Sequence, residues 1–268
     1  MNKRLLSLFL CGVVATNACA PVDDAPEDLG SVEQDIVNGT VLSDAVAARY
    51  GLVRVSSSGG LCSGVLYKNA WVLTAAHCFG FAQPTGPVLV DHGGTRYTAA
   101  QVRILSNADL ALVRLQTPIT LNGSATGYTM PMYQGTLPSL MGAGLYCFGY
   151  GTSSFAPGGG AVIDGQARWA YMTVSGYWTG GPFYSFTPNA QGQIQGGGDS
   201  GGPCFAYQNG RMALAGIARN GGRYCANLPA GQQCDDNAVT SIGWHDQTYV
   251  PAFAATLDFQ SGGLPRFP

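Results

Sequence analysis

The chain has 268 residues, enough for one large domain or two small ones around a sizeable buried core. Charged residues make up only 10% of it, against a usual share of about 25%, and its 39 glycines favour many turns over long surface helices, so an all-β or nearly all-β protein is expected. The formal net charge is −2, and beyond residue 35 the only lysine is Lys68; without a basic cluster, a nucleic-acid partner is not expected.

Residues 1–20 start with Lys3 and Arg4, continue as an apolar run from Leu5 to Val14 and end in Ala18-Cys19-Ala20, the pattern of a secretory signal peptide. That run is too short to span a bilayer, and no later segment supplies the roughly 20 apolar residues a span needs. The mature chain is therefore expected to be soluble and exported, extracellular or periplasmic. Lipid attachment through Cys19 is the poorer alternative, because Thr16 and Asn17 stand where an apolar and a small residue are expected.

Residues 21–35 carry Asp23, Asp24, Glu27, Asp28, Glu33 and Asp35 and no base, so they read as an acidic leader without a core. Residues 1–35 hold six of the fifteen acids and two of the thirteen bases; nine acids and eleven bases remain over 36–268, a net charge of +2 by count. The leader ends abruptly. In SVEQDIVNGT (31–40) the polar run stops at Asp35, an apolar pair Ile36-Val37 follows, and Asn38-Gly39 is composed to turn.

Cys11 and Cys19 belong to the signal segment, leaving Cys62, Cys78, Cys147, Cys204, Cys225 and Cys234. An even number in an exported chain argues for disulfides. No C-x-x-C pair and no H-E-x-x-H run is present, so neither a zinc site nor any other metal or cofactor is expected.

Three segments carry chemistry. WVLTAAHCFG (71–80) opens as a buried strand and ends in small residues around His77; a lone histidine is more often structural than catalytic. NADLALVRLQTP (107–118) sets Asp109 at the start of an alternating strand, where an acid is ordinarily a solvated loop residue. GGGDSGGPC (196–204) has a bland reading as a flexible glycine turn, but with all residue types equally frequent the specific six-residue run Gly198–Pro203 would occur by chance in only about one chain of this length in 10⁵ to 10⁶.

Taken together, IVNG at 36–39, LTAAHC at 73–78, DLALVRL at 109–115 and GDSGGP at 198–203 resemble the trypsin/chymotrypsin-like serine proteases, in the family's order of His, Asp and Ser. The resemblance spans residues 36 to about 258. It implies two antiparallel six-stranded β-barrels, about 36–135 and 136–248, with the active site between them and a short C-terminal helix near Tyr249–Leu257. Periodicity alone implies only many short strands.

The resemblance assigns roles that the chemistry makes intelligible. Ser200 is a weak nucleophile that needs a base, His77 titrates in the range where it can take and return the proton, and Asp109 holds the ring and stabilises the imidazolium. The backbone N–H groups of Gly198 and Ser200 form an oxyanion hole, each donor worth roughly 3 to 4 kcal/mol in comparable enzymes. Asp199 is the partner of a new α-ammonium on Ile36, freed by a cut at Asp35-Ile36. Asp35 departs from the Arg or Lys common there, so another protease or self-cleavage is expected as activator.

The resemblance also implies the bridges Cys62–Cys78 and Cys147–Cys204, and leaves Cys225 to pair with Cys234. Ile194 stands at the base of the primary specificity pocket, where it cannot compensate a basic side chain, so cleavage after apolar or small residues is expected. Arg219, Asn220 and Gly221 replace the family's Ser-Trp-Gly pocket wall. His92 and His245 read as surface or structural, and Asp235-Asp236 as a solvated turn, with cation binding the poorer alternative. A monomeric endopeptidase acting on protein or peptide substrates is expected. Competing readings are a non-catalytic binding module on the same fold and an esterase using the same triad.

Overall fold

A computed structural model of the chain describes residues 36–121, 123–155, 161–178, 180–225 and 241–262. The expected signal and leader lie outside these residues, as do Cys234 and Asp235-Asp236.

The chain enters through strand β1 (Thr40–Leu42) and a single-turn helix α1 (Asp44–Arg49), whose first turn is capped by the Ser43 hydroxyl accepting from the Val46 N–H. Six antiparallel strands follow: β2 (Leu52–Ser57), β3 (Gly60–Lys68), β4 (Trp71–Thr74), β5 (Leu89–His92), β6 (Thr95–Leu105) and β7 (Leu110–Leu115). They close in the order β2-β3-β4-β7-β6-β5.

The second half supplies β8 (Gly144–Gly149), the short ribbon β9 (Ser154–Phe155) and β10 (Ala161–Val162), then β11 (Ala167–Trp178), β12 (Phe183–Phe186), β13 (Pro203–Gln208), β14 (Arg211–Cys225) and β15 (Ser241–Tyr249). Strands β8, β11, β12, β15, β14 and β13 pair around a second closed ring, and β1 extends β11 with Thr40 opposite Trp169. The architecture is two closed six-stranded antiparallel barrels, as the resemblance implies. Closure leaves no free ladder edge within either ring.

Three apolar clusters follow from this closure. Val53, Val55, Val72, Val90 and Val113 fill the first barrel, and Leu145, Met172, Val174, Tyr184 and Phe186 fill the second. A third cluster joins Leu52, Leu73 and Leu112 to Phe148, Phe205 and Ile217, which lie on strands of both barrels and so seal the seam between them. Each such side chain contributes roughly 1.5 to 3 kcal/mol on full burial.

Strand β7 shows the consequence for sequence reading. Its residues Leu110 to Val113 are buried on both faces, Ala111 and Val113 toward the barrel interior and Leu110 and Leu112 toward the seam, and only Arg114 is exposed. The expected alternation is thus replaced by a nearly continuous apolar run, because the strand is covered on both sides.

The first and last described elements cross the seam. Tyr249 completes β15, and a 3₁₀ turn Val250–Phe253 containing Pro251 leads into helix α2 (Ala254–Gln260), slightly further along than Tyr249–Leu257. Leu257 is buried in the seam cluster, while Asp258 receives the Tyr67 hydroxyl at 2.5 Å and lies 3.1 Å from Lys68 Nζ, both on the first barrel. Because β1 grips the second barrel and α2 the first, each end ties its own half of the chain to the other. Among the described residues, no helix is long and apolar enough to cross a membrane.

Candidate active site

His77 lies on a 3₁₀ turn, Ala76–Phe79, that β4 delivers to the seam. The adjacent Cys78 is bonded to Cys62 on β3, with the two Cα atoms 6.3 Å apart, so the turn is fixed covalently to the neighbouring strand. Ser57 Oγ donates to the Cys78 carbonyl at 3.0 Å and secures the same turn from β2.

Asp109 caps the turn before β7 in the left-handed region, φ 52°, uncommon for a residue with a Cβ. That conformation turns its carboxylate toward His77: Oδ1 accepts from the His77 backbone N–H at 2.8 Å and Oδ2 lies 2.8 Å from ring Nδ1. A carboxylate only accepts, so Nδ1 carries the proton and Nε2 of the neutral ring is left as a base. Asp109 is 5% exposed, so water competes little for these bonds. Thr248 Oγ1 donates to the Ala108 carbonyl at 2.7 Å and anchors the Asp109 turn to the second barrel.

Ser200 comes from the other barrel, on the loop before β13. Its carbonyl accepts from the Ser63 N–H at 2.8 Å, next in chain to the disulfide-bonded Cys62, which brings the serine segment against the histidine turn. Among the described residues, no hydrogen bond joins Ser200 Oγ to His77; such contacts often tighten only with substrate bound.

Ser63 was not picked out from the sequence, yet it is fully buried and holds three segments together. Besides its backbone bond, its hydroxyl donates to the Gly198 carbonyl at 3.0 Å and accepts from the Tyr150 N–H at 2.8 Å. A serine in a strand carries no marker of such a role, because both partners are distant in sequence.

Gly198 has φ +92°, and a Cβ there would stand 2.8 Å from Gly151 Cα, so this loop admits only glycine without rearrangement. The adjoining Asp199 is fully buried; its Oδ1 accepts from Gly151 N–H at 2.8 Å and Oδ2 from Gly196 N–H at 2.7 Å. Burial pushes its carboxyl up to about 7, with these bonds and the charge of Arg168 pulling the other way.

Ile36 is 1% exposed and packs with Leu140, Leu145 and Cys147 in the second barrel's core. Asn38, at φ 62°, makes the turn expected of Asn38-Gly39, and Val37 forms an antiparallel bridge with Ile194, two residues before Gly196. Ile194 therefore joins the Ile36 segment to the Asp199 loop. Behind it, the buried pair Gln195 and Gln247 share a side-chain hydrogen bond at 2.5 Å, another polar contact with no local sequence signal.

Arg219, expected as part of a pocket wall, turns its guanidinium toward Asp109: Nε lies 3.9 Å from Asp109 Oδ2 and Nη1 4.0 Å from Asp246 Oδ2. Its Cζ sits 4.4 Å from the centroid of the Phe183 ring. Burial pushes the Asp246 carboxyl up to about 6, against the pull of Arg219. The Asn220 and Gly221 backbones pair with Asp246 and His245 on β15.

Cys147 and Cys204 face each other across β8 and β13 and are bonded, with Cα atoms 4.0 Å apart. Cys225 ends β14, and its expected pairing with Cys234 falls outside the described residues. His92 is buried, with Nε2 3.2 Å from the Ala48 carbonyl, a structural placement. Among the described residues, Cys62, His77 and Cys78 lie close enough to share a metal ion, but both sulfurs are bonded to each other and offer no thiolate.

Two closed barrels with a histidine and an aspartate paired at their seam define a chymotrypsin-like double-barrel protein. The chain belongs to the trypsin family: the family model described as Trypsin matches residues 43–231. Human Serine protease 56 is 40% identical over 95 residues, covering 30% of this chain and only 16% of that protein. Human Chymotrypsin-like elastase family member 1 is 26% identical over 179 residues, 58% of this chain and 68% of its own length. Snake venom serine protease BthaTL of Bothrops alternatus is 28% identical over 189 residues, 63% and 77%. Among solved structures, the scabies mite inactivated protease paralogue S-D1 superposes with a TM-score of 0.59 at 18% identity, covering 84% of this chain and 97% of that one. At that identity the likeness concerns the fold.

Proposed function

We propose that the chain is an exported serine endopeptidase that hydrolyses peptide bonds through an acyl-enzyme on Ser200. The observation that carries this reading is the double grip of Asp109 on His77, both contacts at 2.8 Å, which fixes the tautomer that leaves Nε2 free to take the Ser200 proton. In acylation, Ser200 Oγ attacks the scissile carbonyl, its proton passes to His77 and then to the leaving amine; water repeats the sequence to release the acid. The Gly198 and Ser200 N–H groups, which donate to no acceptor among the described residues, are available to the oxyanion.

The precursor is inactive in this reading and is cut at Asp35-Ile36. The new ammonium of Ile36 then meets the Asp199 carboxylate, whose raised pKa records how costly that charge is when buried without a cation. Ile194 favours apolar or small residues before the scissile bond.

The test is intact mass of the secreted protein before and after a fluorophosphonate probe, with Ser200→Ala alongside. A chain beginning at Ile36 that gains one adduct, lost in the variant, supports the reading; a peptide library then distinguishes an endopeptidase from an esterase. A correctly trimmed chain that takes no adduct sinks the catalytic reading and leaves a binding module, the alternative raised by an inactivated relative with the same fold.

A further inference from the structure

The family resemblance places Arg219 only in the pocket wall, but among the described residues its guanidinium is the cation set beside Asp109. It lies 3.9 Å from Asp109 Oδ2, the same oxygen that faces His77 Nδ1, and 4.0 Å from Asp246 Oδ2. The Phe183 ring at 4.4 Å holds it between the two acids.

We propose that Arg219 is a positioning residue that divides its charge between Asp109 and Asp246 and so sets how strongly Asp109 stabilises the His77 imidazolium. The proposal rests on the serine-protease reading for its catalytic meaning, though its electrostatics can be measured without it.

The charge logic has a definite sign. A carboxylate alone beside His77 favours the imidazolium, and a guanidinium sharing that carboxylate opposes it. Asp246 moderates the opposition, because its negative charge draws on the same arginine. Among the described residues, the charged groups facing Arg219 are Asp109 from the turn before β7 and Asp246 from β15; β12 contributes the uncharged Phe183 ring, and the 3₁₀ turn contributes His77 behind Asp109. The Asp246 carboxyl, raised by burial and lowered by Arg219, senses the same cation from the other side.

An arginine about one-third exposed, at these separations, adds little to stability as an ion pair. Its effect is expected instead on the acid limb of the pH–rate profile, which reports protonation of the base. Arg219→Gln should move that limb to higher pH by about 0.5 unit, Asp246 offsetting part of the change by taking up a proton once its cation is gone. Asp246→Asn should move it to lower pH by a similar amount, since Arg219 then bears on Asp109 alone. Arg219→Lys keeps the charge and should keep the limb near its original place, separating charge from packing.

The experiment measures the rate of fluorophosphonate labelling against pH for the secreted protein and these three variants, with the His77 Nδ1–H resonance followed by NMR in parallel. Opposite displacements for Arg219→Gln and Asp246→Asn, with Arg219→Lys close to the parent, establish the proposal. Limbs that stay in place, or that move in the same direction, overturn it even if kcat falls. If the parent protein takes no label at any pH, the serine-protease reading fails, and the proton resonance alone decides: opposite shifts uphold the charge division and unchanged titrations overturn it.

Discussion

Asp109 holds His77 twice, one carboxylate oxygen on the backbone N–H and the other 2.8 Å from ring Nδ1. Asp109→Asn replaces one accepting oxygen with a donating NH₂, so backbone and ring cannot both be accepted, and the ring is driven toward the tautomer that lacks a base at Nε2. The labelling rate and kcat should fall by about 10³ to 10⁴, with only a small change in Tm. A loss below tenfold would mean that His77 does not depend on Asp109 for its tautomer.

The Cys62–Cys78 bridge closes a short loop, 16 residues in separation, and carries the histidine turn. Replacing both cysteines by alanine should lower stability by about 3 kcal/mol in denaturant melts and should reduce labelling beyond what the stability loss explains. Equal labelling at low temperature would show that the turn holds His77 without the bridge.

Ser63 is buried, and its hydroxyl spans Gly198 and Tyr150. Ser63→Ala leaves the Tyr150 N–H and the Gly198 carbonyl each without that partner and should cost about 1 to 3 kcal/mol. In the proposed reading Gly198 belongs to the oxyanion loop, so kcat should fall with KM little changed, which steady-state kinetics on a peptide substrate would show.

The raised Asp199 carboxyl fixes the pH dependence of uncut protein. Between its unfolded value near 3.8 and about 7, the folded state keeps a proton that the unfolded state has lost, so stability should fall as pH rises through that window, by about 4 kcal/mol at most, and level off above it. Asp246, pushed up to about 6, adds a smaller change of the same sign. In a chain cut at Asp35-Ile36 the ammonium of Ile36 should remove the Asp199 share. Thermal melts of both forms from pH 4 to 8 test this, and parallel curves would count against the Ile36–Asp199 pairing.

Much of the candidate site was legible in the chain because its residues stand in short local runs. His77 beside Cys78, Asp109 before an apolar strand and Ser200 within GDSGGP are each recognisable without knowing what lies opposite, and the double barrel follows from the family these runs resemble. The helix register near Tyr249 was less legible, since strand pairing of β15 extends to Tyr249 and Pro251 starts the turn after it.

Sequence by itself determined the order of the chemistry-bearing residues and the apolar character of the strands, because each depends on residue type and spacing, while the pairing of the two described bridges came from the family resemblance. Tertiary structure decided what faces what. It buried both sides of β7, let Ser63 join its own strand to two distant segments, paired Gln195 with Gln247, and set Arg219 between Asp109 and Asp246. These relationships join residues far apart in the chain, and only closure of two barrels against one seam brings their polar atoms within bonding distance, where burial gives each of them its consequence.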